Sequence, residues 1–143
     1  LSPVAPGTVG SLEAVAIYLA VDAIFQSTSA RLMFVAGLAV ATYGFGVWAA
    51  TRASELSETE DPGHVVIDEV CGQLVALTPV AIKASTVAVV LAFVLFRLFD
   101  IFKPYPVNRL ERLRGGYGVM SDDLMAGAYA AVLVGLAIGL RVV

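Results

Sequence analysis

Residues 32–50 form one apolar run without a single charged side chain. Its length matches the roughly 20 residues that carry an α-helix across the hydrocarbon of a bilayer. Four more apolar segments accompany it. One covers about 12–28. Two share a long run that Pro79 and Lys83 divide into 65–79 and 84–102, as in a tight helical hairpin. The last, about 124–140, is rich in Ala and Gly, small residues that let membrane helices approach closely. Within lipid a helix satisfies its own backbone polar groups. The chain is 59% apolar and only 15% charged, with a mean hydropathy of +0.86. Soluble domains carry roughly a quarter of their residues as charges. Lipid is therefore the expected solvent. The expected fold is all-α, a polytopic membrane helical bundle of about five hydrophobic helices in one domain over residues 1–143.

Several function classes drop out on composition. The net charge is −3 and the bases are interspersed with acids, so no basic stripe points to nucleic acid. Cys71 is the one cysteine, which excludes an intrachain disulfide and a cysteine-rich zinc site. The chain begins with Leu, so its natural start is expected upstream, and residues 1–11 lack the charged segment of a signal peptide. No internal repeat or low-complexity stretch stands out.

Two polar loops are expected. Residues 51–64 carry Glu55, Glu58, Glu60 and Asp61 before the turn signal Pro62-Gly63. Residues 103–121 carry Pro104, Pro106, several arginines and Gly115-Gly116. Proline cannot continue a helix, so the fourth segment should stop near Lys103. If all five segments cross, both loops and the glycine-rich start lie on one side. That side holds Arg52, Arg97, Lys103, Arg109, Arg112 and Arg114, and the other holds Arg31, Lys83 and Arg141. The positive-inside rule then makes the first side cytoplasmic. All the acids but Asp22 fall there too.

The acids carry the chemistry. Asp68-Glu69, Asp100 and Asp122-Asp123 lie at the ends of apolar runs. A carboxylate at the membrane edge is expensive and usually has a partner or a task. Five of them suggest a hard cation bound through oxygen. Adjacent helical residues point about 100° apart, so one acid of each pair can face an ion while its neighbour acts through a second layer. Acids also favour the first turns of helices, and Ser121 could cap the last one, so dipole compensation is the plain alternative. Two such pairs on one face would repel unless separated, protonated or bridged by a cation. Arg97, Asp100 and Lys103 recur at steps of three, lining one helix face. They read as a salt-bridge ladder, or as a carboxylate for metal flanked by cations for phosphate oxygens.

Other candidates are weaker. Residues 6–11 precede the first segment with two glycines, Thr8 and Ser11, a composition suited to holding an anion near a helix start or simply to a capped turn. The Gly-Lys-Ser/Thr ending of a Walker A loop is missing. His64 is the one histidine, a proton-transfer group or a solvated loop residue. Position 77 is Leu rather than Arg, so Cys71 is no phosphatase nucleophile of the cysteine type. Mechanisms that need two histidines are excluded.

Four stretches in order carry a resemblance: 6–12 (PGTVGSL), 61–72 (DPGHVVIDEVCG), 95–106 (LFRLFDIFKPYP) and 115–127 (GGYGVMSDDLMAG). Together they resemble phosphatidylglycerophosphatase A, a bacterial inner-membrane lipid phosphatase family. The resemblance implies hydrolysis of the phosphomonoester of phosphatidylglycerophosphate to phosphatidylglycerol, with Mg2+ as cofactor and membrane lipids as surroundings. It implies Asp68, Glu69, Asp100, Asp122 and Asp123 as metal and catalytic positions. Thr8, Ser11, Asp61, His64, Arg97 and Lys103 fall in the same motifs as substrate-binding candidates.

The residues are compatible with that reading. A metal neutralises phosphoryl oxygens and lowers the pKa of a bound water. In-line attack by such a water, with one carboxylate as general base, is the expected mechanism, and an aspartyl-phosphate intermediate is its rival. Acyl chains would stay between helices while the headgroup meets ions at the cytoplasmic edge. Two other classes compete: a cation transporter, which should place charges through the depth of the bundle, and a non-catalytic assembly subunit. A homo-oligomer is compatible with the sequence but not specified by it.

Overall fold

The computed structural model describes residues 6–56, 64–110, 112–113 and 115–143. Among them there is no strand. The helices are α1 (Pro6–Ile24), α2 (Thr28–Leu56), α3 (His64–Leu77), α4 (Thr86–Phe102), the single turn α5 (Val107–Leu110) and α6 (Gly116–Gly139). A 3-10 turn, Thr78–Ala81, follows α3 directly. The segments Gly7–Ile24, Thr28–Ala53 and Gly116–Gly139 are long and apolar enough to cross a membrane. At 1.5 Å per residue, α3 spans only about 21 Å and α4 about 26 Å.

The short helix α3 is the hub, packing against α1, α2, α4 and α6. Cys71, Gly72, Gln73, Leu74, Ala76 and Leu77 are all buried. A helix walled by four others need not match the bilayer in length, and it can carry acids that would be costly against lipid. The apolar core runs through Ala14, Tyr18, Val35, Leu74, Val80, Ala92, Phe96 and Ala130. Most exposed side chains of α2 and α4 are large and apolar, Met33, Val40, Trp48, Val90 and Val94 among them, as a lipid-facing surface requires.

The hairpin between α3 and α4 turns where Pro79 and Lys83 predict, and α4 stops at Phe102 as Pro104 requires. Lys103 closes α4 in the left-handed region (φ 42), its N–H donating to Phe99 O at 2.9 Å. Such a cap satisfies one orphan carbonyl of the last turn.

Two expected boundaries move. Residues 6–11 are the first turns of α1 rather than a loop before it. Likewise α6 starts at Gly116, so Asp122 and Asp123 lie well inside the helix and Ser121 is not its cap. The physical reason is contact. A Cβ on Gly10 would stand 2.8 Å from Val66 O, and one on Gly116 would overlap Val47 O. These glycines are spaces for a neighbouring helix, and glycine's cost in a helix interior is offset by packing. Among the described glycines, only Gly115 has a left-handed backbone, at φ 65, and it serves the turn before α6.

A close approach joins α3 and α6. A Cβ on Gly72 would meet Asp123 O at 2.5 Å, and one on Gly127 would overlap the Gly72 carbonyl. By contrast, nothing lies within 4 Å of a Cβ on Gly37. Gly127→Ala is expected to lower stability by roughly 1–3 kcal/mol through overpacking against backbone. Gly37→Ala should leave it unchanged or slightly raised. Thermal unfolding of both variants in detergent checks the pair, and equal melting temperatures would contradict the helix contact.

Candidate active site

The starts of α1 and α3, the end of α4 and the first turns of α6 meet at one end of the bundle. α3 brings Asp68 and Glu69, α6 brings Asp122 and Asp123, and α4 brings Arg97 and Asp100, with Lys103 as its C-cap. Asp68, Glu69, Asp122 and Asp123 are all buried. Asp100 is largely covered, its side chain 14% exposed.

Charge pairing organises the group. Arg97 Nη1 donates to Glu69 Oε2 at 2.6 Å and lies 2.8 Å from Asp100 Oδ2. Lys103 Nζ donates to Asp122 Oδ2 at 2.8 Å. The ladder on α4 therefore clips α3 with one cation and α6 with the other. Asp68 Oδ1 accepts the Glu69 N–H at 2.8 Å, and Asp122 Oδ1 accepts the Asp123 N–H at 3.0 Å. Each pair thus holds its first acid in place through the second residue's amide. Asp123 lies in the field of the like charges Asp100, Asp68 and Asp122. Asp68 likewise lies in the field of Asp122 and Asp100.

α1 closes the group from the side. Ser11 Oγ donates to Gly7 O at 3.0 Å and reaches Glu69 Oε2 at 3.4 Å. A Cβ on Gly7 would overlap the Glu69 carboxylate, so glycine there makes room for the acid. Thr8 is half-buried on the same turn and makes no hydrogen bond to these side chains. His64 opens α3, but its side chain is not described, and Asp61 lies outside the described residues.

The five predicted acids, Ser11, Arg97 and Lys103 therefore meet at one end. Sequence reasoning missed what supports them. Tyr43 of α2 hydrogen-bonds Ser121 of α6 at 3.1 Å, one residue before the acid pair. Thr51 Oγ1 accepts the Gly116 N–H at 3.3 Å at the start of the same helix. No local sequence signal marks either residue. At the opposite end Arg31 pairs with Asp22, and Lys83 Nζ donates to Val143 O at 3.1 Å. Asp22 is thus part of a separate ion pair and does not extend the acid group. An open groove of about 420 Å³ between α2 and α6, lined by Trp48, Thr51, Arg52 and Tyr117 among others, contains none of the five acids.

The donor chemistry fits a hard divalent cation: carboxylate oxygens and a hydroxyl, with Cys71 turned to Ala39 O on α2. The acids also outnumber the cations paired with them. Among the described residues, however, no three acidic, histidine or cysteine side chains converge into a finished cage. Glu69, Asp100 and Asp122 have oxygens held by Arg97 and Lys103, so these pairs would have to open for those oxygens to bind metal.

Comparison with known proteins bears on what such a group does. The sequence matches the profile of phosphatidylglycerophosphatase A over residues 1–138. The chain belongs to the phosphatidylglycerophosphatase A family. Proteins of that name from Escherichia coli (strain K12) and Haemophilus influenzae (strain Rd) are 34% and 32% identical to it. Those alignments cover 92% and 91% of this chain, and 73% and 77% of the relatives. A Bacteroides thetaiotaomicron protein is 42% identical over 95% of this chain and 85% of its own length. It carries the provisional name phosphatidylinositol-3-phosphatase. No solved structure matches.

Removing one partner from a buried charge network leaves the other uncompensated. Arg97→Met is therefore expected to destabilise the bundle by roughly 3–5 kcal/mol. Adding Glu69→Gln should recover part of that loss. Unfolding of the single and double variants in detergent measures both, and a double variant no more stable than the single would contradict the pairing.

Proposed function

We propose that this chain hydrolyses the phosphate monoester of phosphatidylglycerophosphate, releasing phosphatidylglycerol and inorganic phosphate, as a Mg2+-dependent step of bacterial phospholipid synthesis. The observation that carries the reading is the Glu69–Arg97–Asp100 and Lys103–Asp122 network at one end of a membrane bundle, in a chain of this family. Were all five apolar segments to cross, the six-to-three distribution of basic residues would put that end at the cytoplasmic face of the inner membrane.

In this reading Arg97 and Lys103 turn from their carboxylates to the phosphate oxygens, since guanidinium and ammonium groups complement such anions. Asp68 is the general base. Its Oδ1 is held by the Glu69 amide, and Oδ2 has no hydrogen bond from the described residues. It takes a proton from the attacking water, whose oxygen bonds to phosphorus opposite the glycerol oxygen. The bond from phosphorus to that oxygen breaks, and the proton held by Asp68 passes to the leaving alkoxide. Asp68, Glu69, Asp100, Asp122 and Asp123 would hold Mg2+, which when bound neutralises phosphoryl charge and acidifies water. Ser11 and Gly7 keep Glu69 in register, and Thr8 on the same turn of α1 meets the headgroup; Asp61 and His64 are candidates for that contact from the sequence alone.

The 42%-identical relative's name favours a second substrate with the same chemistry, a phosphatidylinositol phosphate. Both are phosphomonoesters on a lipid headgroup. Phosphate release by purified protein in detergent, from each lipid, with Mg2+ and then with excess EDTA, separates the readings. Release from phosphatidylglycerophosphate that requires Mg2+ is expected, with slower release from phosphatidylinositol 3-phosphate. Asp100→Asn should abolish it in protein that still folds. Release that persists undiminished in EDTA, or in Asp100→Asn, would sink the metal-site mechanism.

A further inference from the structure

The buried polar side chains among the described residues are Ser11, Asp68, Glu69, Gln73, Asp122 and Asp123. Five belong to the acid group at the end of the bundle. Gln73 stands apart: it is fully buried, and neither its amide nitrogen nor its carbonyl oxygen makes a hydrogen bond. A buried amide without a partner costs stability, whereas an apolar side chain of the same shape would not. Nothing in the resting packing accounts for a glutamine there.

Its position does. Gln73 stands four residues after Glu69 on α3, one helical turn deeper in the bundle. Residues at i and i+4 share a face and lie about 5–6 Å apart at Cβ. The Cα–Cβ bond of a helical residue tilts toward the helix N-terminus, so Gln73 leans back toward the turn that carries Glu69. In the structure Glu69 is held by Arg97 at 2.6 Å, with Ser11 at 3.4 Å. Should Arg97 leave for a phosphate, Glu69 Oε2 would lose its charged donor, even with Mg2+ held at the carboxylate's other oxygen. A primary amide one turn away supplies the donor that the vacated side of the carboxylate needs.

We propose that Gln73 is a positioning residue that donates its amide N–H to Glu69 when Arg97 engages the substrate's phosphate. The inference rests on the proposed role of Arg97 in phosphate binding. The two resting orphans, the Gln73 amide and its carbonyl, thus mark a donor kept for the bound state. Gln73 touches neither water nor phosphorus; it acts through Glu69, and through it on how readily Arg97 is released.

Gln73→Met and Gln73→Leu keep the volume and remove the donor. Arg97 engages phosphate on binding, so the loss should appear in KM rather than kcat. KM is expected to rise about tenfold or more while kcat stays within about twofold, the range one hydrogen bond to a charged group supports. Melting temperature should hold or rise, because an orphaned amide has gone. An unchanged KM in both variants, with wild-type protein active, overturns the proposal and leaves the phosphatase reading intact. A second measurement does not depend on turnover. In an Arg97→Met background Glu69 already needs Gln73, so Gln73→Met should now lower the melting temperature instead of holding or raising it. The same shift in both backgrounds overturns the proposal even if no lipid is hydrolysed, and absent hydrolysis by wild-type protein counts against the phosphatase reading alone.

Discussion

Four carboxylates buried in an apolar bundle demand countercharge, and one helix provides it. Arg97 on α4 and Lys103 at its C-cap sit six residues apart, with Asp100 between them. The first reaches Glu69 on α3 and the second reaches Asp122 on α6. A lone buried charge is far more costly than a paired one, so the helices are bound to the geometry of these pairs. The left-handed Lys103 that ends α4 is part of the same constraint, since it carries the cation for α6 as the chain turns away. The short length of α3 follows as well. A helix bearing two buried acids is best kept from lipid, and α3 achieves this by lying among four others.

Glycine sets the distances on which those pairs depend. Gly7 leaves room for the Glu69 carboxylate, and Gly72 and Gly127 bring the backbones of α3 and α6 into contact. That contact holds Asp68 and Glu69 opposite Asp122 and Asp123. Larger residues would separate the acid pairs and lengthen the bridges from α4. Close packing and buried charge are therefore one design: the small residues place the acids, and the cations make the placement tolerable.

This arrangement suits chemistry on a lipid. The acids gather at one end of the bundle, while the opposite end has its own pair, Arg31 and Asp22. A cation path through the bundle would place charge along its depth, and the core between the ends is apolar. The proposed substrates, glycerol- or inositol-linked, share a phosphomonoester and differ beyond it. In the proposed reading the buried network addresses the common group, and choice between headgroups falls to residues outside it. Membership of the family and the geometry of the charged residues support the same reaction by separate routes.

Much of this was legible in the sequence because it depends on local or additive properties. Apolar runs gave an all-helical membrane bundle, Pro79 and Lys83 gave the hairpin, and Pro104 gave the end of α4. The acids stood out because charge is rare in such a chain. The starts of α1 and α6 were not legible: the glycines of residues 6–11 and 115–118 read locally as turns, and only a neighbouring helix reveals them as contact surfaces. Tyr43, Thr51 and Gln73 were missed for the same reason, being ordinary in sequence and distinctive only in what surrounds them. The sequence by itself determined the elements and the chemistry available, since hydropathy and charge belong to residues. Tertiary structure alone decided which acid meets which cation and which amide is left without a partner, because those depend on distances between helices far apart in the chain.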